Sequence, residues 1–533
     1  MSFPTPQSLL VVLAALLPGG TVGAGGEHST PLFLQGYSVV PTPQQRSDGS
    51  NYQACLCDER TYDLIFDMYQ DLVDATRGVE YFHASTDEVY YAGICGKCER
   101  PYNRENRSLA WAEFVQKAHR FLQPKGRRML VWLEYPLIPE HVSQLPPDII
   151  DAILGNNYMP PLMSLAARQR YIEEQRKAGM RQLAYVSMQG SEYLFPNHLD
   201  GNGRSGRLTQ AFETISFDAR EGNPIGVYGA AWDDAGLHNE TFWLGWSAVA
   251  QWAWSAGTPS VAQHVAEFMQ TYYGPRVRDM VEIYMGLQEQ ARFFEASWDR
   301  VPSRVRGLGY GNSDGKRPIT RRDLTLPQPA LPHPSGLDFA PVYVGRYQPW
   351  LEEARTLADK APALQLKIQE NMLRADRNRY NLEVMSALVA FSHHHAELIL
   401  GMQDIEQRLA EATESAGSAR PQEAVESLMS AYTRAATIAR ERQNTFERLK
   451  ATYEKSRYPK GRSLQGQAFV HTMDDVKDHW ADRRPDLTFM LAPEESINLE
   501  GWMQKLSGVI VDYAEANSLA LGDIKREMER LQP

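Results

Sequence analysis

Two adjacent acids, Asp87 and Glu88, close the run Phe82-His83-Ala84-Ser85-Thr86-Asp87-Glu88-Val89, and the residues before them have the content of a strand. Val79-Glu80-Tyr81-Phe82-His83 is β-branched and aromatic. Side chains alternate between faces along a strand. Tyr81, His83, Ser85 and Asp87 therefore share one face if the strand stays regular to its end, and Glu88 falls at the turn into the loop. Neighbouring carboxyls at a strand end can divide acid–base work. Burial and the charge of Asp87 would keep Glu88 protonated as a proton donor, while Asp87 stays ionised and steadies a group that develops positive charge. A surface Asp-Glu pair opening a solvated loop is the competing account of the same dipeptide, so the surroundings must decide.

Those surroundings alternate. Tyr62, Ile65, Phe66, Tyr69 and Leu72 have helical spacing ahead of the strand at 79–86, and Leu109, Phe114, Ala118 and Leu122 mark a second helix ahead of a strand at 128–134. Further strands are expected at 149–154, at 182–187 after a helix over 171–178 and a turn at Gly179, and at 225–232. Most of these runs are continuously apolar, as in a parallel sheet covered on both faces. In a β/α barrel, catalytic groups sit at the C-terminal ends of the strands, which is where Asp87 and Glu88 fall. A closed barrel needs eight strands, and about five β/α units can be counted here. The fold class expected is α/β: an incomplete, barrel-like parallel sheet followed by a C-terminal helical bundle.

The chain of 533 residues divides by composition. Residues 1–24 hold the apolar run Leu9 to Leu17, then Pro18-Gly19-Gly20 and a small-residue end at Ala24, the pattern of a secretory signal, although no Lys or Arg precedes the run. The expected location is therefore secreted or periplasmic. Residues 25–50 form a Gly-, Pro-, Ser- and Gln-rich linker or the remnant of an N-terminal domain. Residues 51–300 carry the β/α units, 301–342 a Pro- and Gly-rich linker, and 343–533 helices that begin with the amphipathic spacing of Tyr347, Trp350, Leu351, Ala354, Leu357 and Ala358. A net charge of −11 argues against nucleic acid as a partner, and no run is apolar for long enough to span a membrane.

The chain's four cysteines, Cys55, Cys57, Cys95 and Cys98, flank the acid pair in a C-x-C and a C-x-x-C. Such clustering implies that they meet in space and serve structure, as disulfides, as a zinc site or as thiols. Which metal they would hold, if any, is unknown from spacing alone.

Most glycosidases use two carboxyl groups, and in the substrate-assisted variant the sugar's own 2-acetamido group is the nucleophile while the second acid orients it. His83-Ala84-Ser85-Thr86-Asp87-Glu88 resembles the His-x-Gly-Gly-Asp-Glu motif of family 20 glycoside hydrolases, the β-N-acetylhexosaminidases, with Ser85 and Thr86 in place of the two glycines. Gly229-Ala230-Ala231-Trp232-Asp233-Asp234, followed by Trp243 and Trp252-Ala253-Trp254, is similar to that family's last barrel strand and the helix after it. The resemblance spans roughly residues 52–257. It implies Glu88 as general acid and Asp87 as the acetamido-orienting acid. It also implies a sugar pocket formed with His83, Trp132, Glu134, Tyr193, Trp232 and Asp234, where Asp234 replaces the usual Glu and Phe195 an acid expected after Tyr193. Gly36 to Gln44 looks like the opening of the small domain that precedes the barrel in that family. Most of that domain and three barrel strands would then be missing between Gln45 and Asn51, together with the family's sugar-binding arginine.

The expected activity is hydrolysis of terminal N-acetylhexosamine with retention and without a cofactor, on carbohydrate containing that sugar. The alternative is a catalytically impaired carbohydrate-binding or interaction protein built on a degenerate barrel. Trp243, Trp246, Trp252 and Trp254 are expected to pack a helix. His393-His394-His395 is not expected to bind metal, because successive helical residues point about 100° apart. Asn106 and Asn239 stand in glycosylation sequons, and Gly201 to Gly206 reads as a flexible loop.

Overall fold

The computed structural model describes residues 39–40, 53–86, 89, 92–93, 98, 102, 105–134, 136–154, 165–189, 194–196, 198–199, 207–231, 239–297, 328–453, 455–456, 463–464, 467–468 and 498–532. The signal-like segment, most of the arm that follows it, Asp87, Glu88, Cys95, Tyr193, Trp232, Asp234, the 201–206 loop and most of the Pro- and Gly-rich linker lie outside the described residues.

Five parallel strands form one sheet in sequence order: β3 (Tyr81–His83), β4 (Arg128–Val131), β5 (Ile150–Leu154), β6 (Arg181–Gln189) and β7 (Pro224–Ala231). Each pairs with the strand before it, and the sheet curls into a half-barrel. Upstream, β1 (Val39–Val40) pairs antiparallel with β2 (Gln53–Ala54). The interleaved helices are α1 (Glu59–Ala75), α2 (Ser108–Leu122), α3 (Leu165–Ala178) and α4 (Leu208–Glu221). Asp58 caps α1 by accepting the Arg60 N–H at 3.2 Å. Gly126 (φ +73°) and Gly179 (φ +72°) take left-handed conformations where the chain leaves a helix for β4 and β6, a geometry that costs a residue with a Cβ much more.

Apolar side chains line both faces of the sheet, as the continuous apolar runs predict. On the convex side, Phe82, Met129 and Val131 pack with Tyr69, Trp111, Phe114 and Val115 of α1 and α2. Val186 and Met188 of β6 join a second core with α4 and α5 (Trp243–Trp254). On the concave side Leu130, Trp132, Ile150, Ala152 and Tyr185 form a separate cluster, flanked by Tyr81, Leu183, Tyr228 and Ala230. Period-2 alternation sorts Met129 and Val131 from Leu130 and Trp132, whereas Ala152 and Ile153 of β5 both fall in the concave cluster where the pairing with β6 shifts register.

Beyond α5, the stretch 261–294 that reads as helical is two helices, α6 (Val261–Tyr273) and α7 (Met280–Ala296). Three long helices follow, α8 (Tyr343–Arg374), α9 (Arg379–Gly417) and α10 (Pro421–Tyr453), then α11 (Leu499–Ala516) and α12 (Leu521–Leu531). They pack together around α9 and share one hydrophobic core with β6, α4 and α5. Polar ties cross the same junction. The Asn381 side-chain amide donates to the Glu240 carbonyl (2.9 Å), Ser297 Oγ meets His395 Nε2 (2.7 Å), and the Tyr347 hydroxyl donates to the Ser297 carbonyl (2.7 Å). Among the described residues no helix is long and apolar enough to cross a membrane.

Candidate functional site

The C-terminal ends of β3 and β4 are joined by side chains from the segment that leads to the acid pair. Ala84 N–H continues the ladder to the Leu130 carbonyl at 2.9 Å, and its own carbonyl accepts the Tyr69 hydroxyl at 2.8 Å. At Ser85 the backbone turns left-handed, φ +47°. The regular alternation therefore stops at His83, and the single face expected from Tyr81 onward is broken at Ser85; Asp87 lies outside the described residues. The next residue, Thr86, is buried and bridges to β4. Its hydroxyl donates to the Trp132 carbonyl (3.0 Å) and accepts the Trp132 N–H (2.9 Å). The two positions that are glycine in the resembling motif thus have different work here. Ser85 occupies the conformation glycine favours, and Thr86 ties two strand ends with its side chain.

His83 and Trp132, two of the residues expected at the site, do come together. Their rings lie 5.4 Å apart, edge to face at 83°. Two tyrosines that the sequence reading did not single out complete the group. Tyr228 on β7 is 6.0 Å from His83 and 6.3 Å from Trp132, and Tyr185 on β6 is 6.1 Å from Trp132 and stacked on Tyr228 at 5.8 Å. Their signal was available in the alternation of the strands, which puts Tyr185 and Tyr228 in step with Leu183 and Ala230 on the concave side.

The described members of this group are neutral side chains. His83 Nδ1 accepts the Ser85 N–H at 3.0 Å, which puts the ring proton of the neutral imidazole on Nε2. That Nε2 is buried and has no hydrogen-bond partner among the described residues. Burial pulls the His83 pKa down to about 4, so the ring is neutral over the physiological range.

Glu134 is 5% exposed and lies just past the end of β4. Its N–H donates to the Trp132 carbonyl (3.1 Å), its carbonyl accepts the Leu137 N–H (2.9 Å), and its charge, after burial and the charges of Asp151 and Glu140, helps push the Tyr171 phenol upward. The segment that carries Trp132 and Glu134 is anchored from below by Asp151. This buried carboxylate accepts N–H groups of Ile153 (3.0 Å) and Leu133 (3.3 Å) and the Gln175 side-chain amide (2.8 Å). Burial raises Asp151 to about 7 against the pull of those three donors. Asp151 is not among the expected site residues; the signal that finds it is an acid inside the continuous apolar strand expected at 149–154.

Three of the four cysteines, Cys55, Cys57 and Cys98, converge as the clustering implies, and Cys95 lies outside the described residues. Cys57 and Cys98 are joined as a disulfide with Cα atoms 5.6 Å apart, and Cys55 Sγ lies 3.6 Å from Cys98 Sγ. The tryptophans after β7 divide. Trp252 is core and Trp246 packs against it, as expected of a helix face, whereas Trp243 is half exposed and Trp254 is 91% exposed. In the histidine run, His394 and His395 are buried and His395 bonds to Ser297, so these side chains serve packing. Two hollows among the described residues lie elsewhere, one between α7 and α8 and one at the N-terminal ends of β3 and β4 around Val79, Glu80 and Arg127.

No protein-family model and no curated protein matches this sequence.

Proposed function

We propose that the chain is a glycoside hydrolase that removes terminal N-acetylhexosamine by substrate-assisted, retaining catalysis. In this reading Glu88 protonates the leaving oxygen and Asp87 steadies the acetamido N–H as an oxazolinium forms. No cofactor takes part. The observation that supports it most is the convergence of His83, which shortly precedes the acid pair in the chain, with Trp132, Tyr185 and Tyr228 on the concave side of a half-barrel. Aromatic rings pack well on the apolar faces of a pyranose, and a neutral histidine beside them can hydrogen-bond a hydroxyl without bringing in a charge. Trp232 and Asp234, which follow β7, and Tyr193, after β6, would close the pocket on the sugar. The test is release of chromophore from an aryl N-acetyl-β-glucosaminide by the purified protein and by Glu88→Gln. The reading predicts turnover lost by at least about a hundredfold in the variant, and equal rates remove it.

A second reading has its own support in Thr86, whose side chain is committed to a bridge where the resembling enzymes have glycine. It is a non-catalytic carbohydrate-binding or interaction protein on the same scaffold. Calorimetry that detects N-acetylglucosamine binding by a preparation without turnover selects it. An exported location follows from the apolar N-terminal segment in either case and is checked by the N-terminus of the mature protein.

A further inference from the structure

We propose that Cys55, Cys57 and Cys98 form a structural thiolate site for a single zinc ion in the reduced protein. Their three sulfurs lie within 4.8 Å of one another, although they come from two segments, one between β2 and α1 and one between β3 and α2. Tetrahedral coordination with Zn–S bonds of about 2.3 Å sets sulfurs about 3.8 Å apart. The 3.6 Å between Cys55 and Cys98 is close to that edge length.

The surroundings suit thiolates. Cys55 Sγ accepts the backbone N–H of Cys57 at 3.4 Å, a bond that stabilises a metal-bound sulfur. Both segments are held by their own turns: Asp58 N–H and Thr61 Oγ1 bond the Cys55 carbonyl at 3.2 and 2.8 Å, and Tyr102 N–H bonds the Cys98 carbonyl at 2.9 Å. Cys55 and Cys98 are fully buried, with Tyr102 packed against them. Three soft anionic ligands in a dry site select zinc over hard cations. The remaining cysteine, Cys95, stands in a C-x-x-C with Cys98 in the sequence and lies outside the described residues.

Each ligating sulfur gives up one proton to solvent as the ion binds, and no electron moves. A Cys57–Cys98 disulfide removes two ligands, so metal-bound and disulfide forms exclude each other. The function of the site is to clamp the start of α1 to the chain that follows the acid pair, and it does not depend on how Asp87 and Glu88 are read.

The test uses the full chain, purified with a phosphine reductant, loaded with zinc sulfate and desalted. About one zinc per chain should remain, with the cysteines unreactive to a chromogenic thiol reagent until a chelator is added. Cys55→Ser should weaken zinc binding by about tenfold or more, whereas a disulfide between Cys57 and Cys98 would not need that residue. Cobalt in place of zinc should give a sulfur-to-metal charge-transfer band, which reports the site even if the variant fails to fold. Four thiols that react at once in the reduced protein without retained zinc, zinc held equally by Cys55→Ser, or cobalt without that band would each overturn the proposal.

Discussion

The His83 ring on β3 lies 6.0 Å from the Tyr228 ring on β7, although three strands stand between them in the sheet. In a flat sheet four strand spacings would separate them by about 19 Å. Their meeting is therefore a direct measure of how far the sheet curls. It makes the concave side a single surface on which residues from β3, β4, β6 and β7 can act together. Among the described residues β3 and β7 are the two edges of the sheet, and the aromatic group closes over the ground between them.

The bridge from Thr86 to Trp132 makes the first prediction. Thr86→Val keeps the volume and removes the hydroxyl, so the buried N–H and carbonyl of Trp132 both lose a partner. Urea denaturation should show a loss of about 1–3 kcal/mol. Ser85→Gly should do the reverse, gaining about 0.5–1 kcal/mol by relieving the left-handed conformation at φ +47°. A stabilising Thr86→Val would mean that the bridge does not form.

Acid should unfold the protein partly through His83. Its folded pKa, lowered to about 4 by burial, lies below the unfolded value near 6.5, so the unfolded chain takes up the proton first. The stability this imidazole contributes is complete above about pH 6.5 and is lost as pH falls toward 4. His198, also lowered to about 4 by burial, acts in the same direction. His83→Phe should shrink the drop in stability between pH 7 and 4.5 by on the order of 2 kcal/mol, measured by denaturant titration at each pH. An unchanged acid limb would place the ring in contact with water.

Asp151 works with the opposite sign in an overlapping window. Its folded pKa, raised to about 7 by burial, lies above the unfolded carboxyl value, so the folded protein keeps a proton that the unfolded chain has released. Stability from this group is complete below about pH 4 and declines as pH rises to 7, at roughly 1 kcal/mol per pH unit. Asp151→Asn should flatten that slope, and a wild-type curve indistinguishable from the variant's would show the carboxylate to be ionised throughout.

Glu406 holds the start of α8 from the middle of α9. Its carboxylate accepts backbone N–H groups of Val342 (2.8 Å), Tyr343 (2.7 Å) and Val344 (2.9 Å), donors that the first turn of a helix cannot satisfy internally. Glu406→Ala should cost about 2–4 kcal/mol and speed hydrogen exchange at the N-terminal turn of α8. Unaltered exchange there would mean that other groups cap the helix.

The strand count was legible because local composition carries it. β-branched and aromatic runs of four to eight residues, separated by helical spacing and punctuated by Gly126 and Gly179, locate all five strands within a few residues. Helix α4 is not among the expected helices although Leu208, Ala211 and Ile215 are its buried stripe, because that stripe is short and polar residues separate its members. The long apolar pattern at 261–294 did not reveal its break. The chain interrupts it at Gly274, which takes φ +109°.

At the candidate site the sequence determined by itself which residue types stand at the strand ends, that the strands are parallel and covered on both sides, and that the cysteines belong together. Only the tertiary structure decided that His83 and Trp132 share a group with Tyr185 and Tyr228, that Ser85 breaks the alternation, and that Thr86 spends its hydroxyl on Trp132. The reason is physical. Period and composition are written into neighbouring residues, whereas the curl of a sheet is a sum of small twists over five strands, and the pairing of distant side chains follows from that sum.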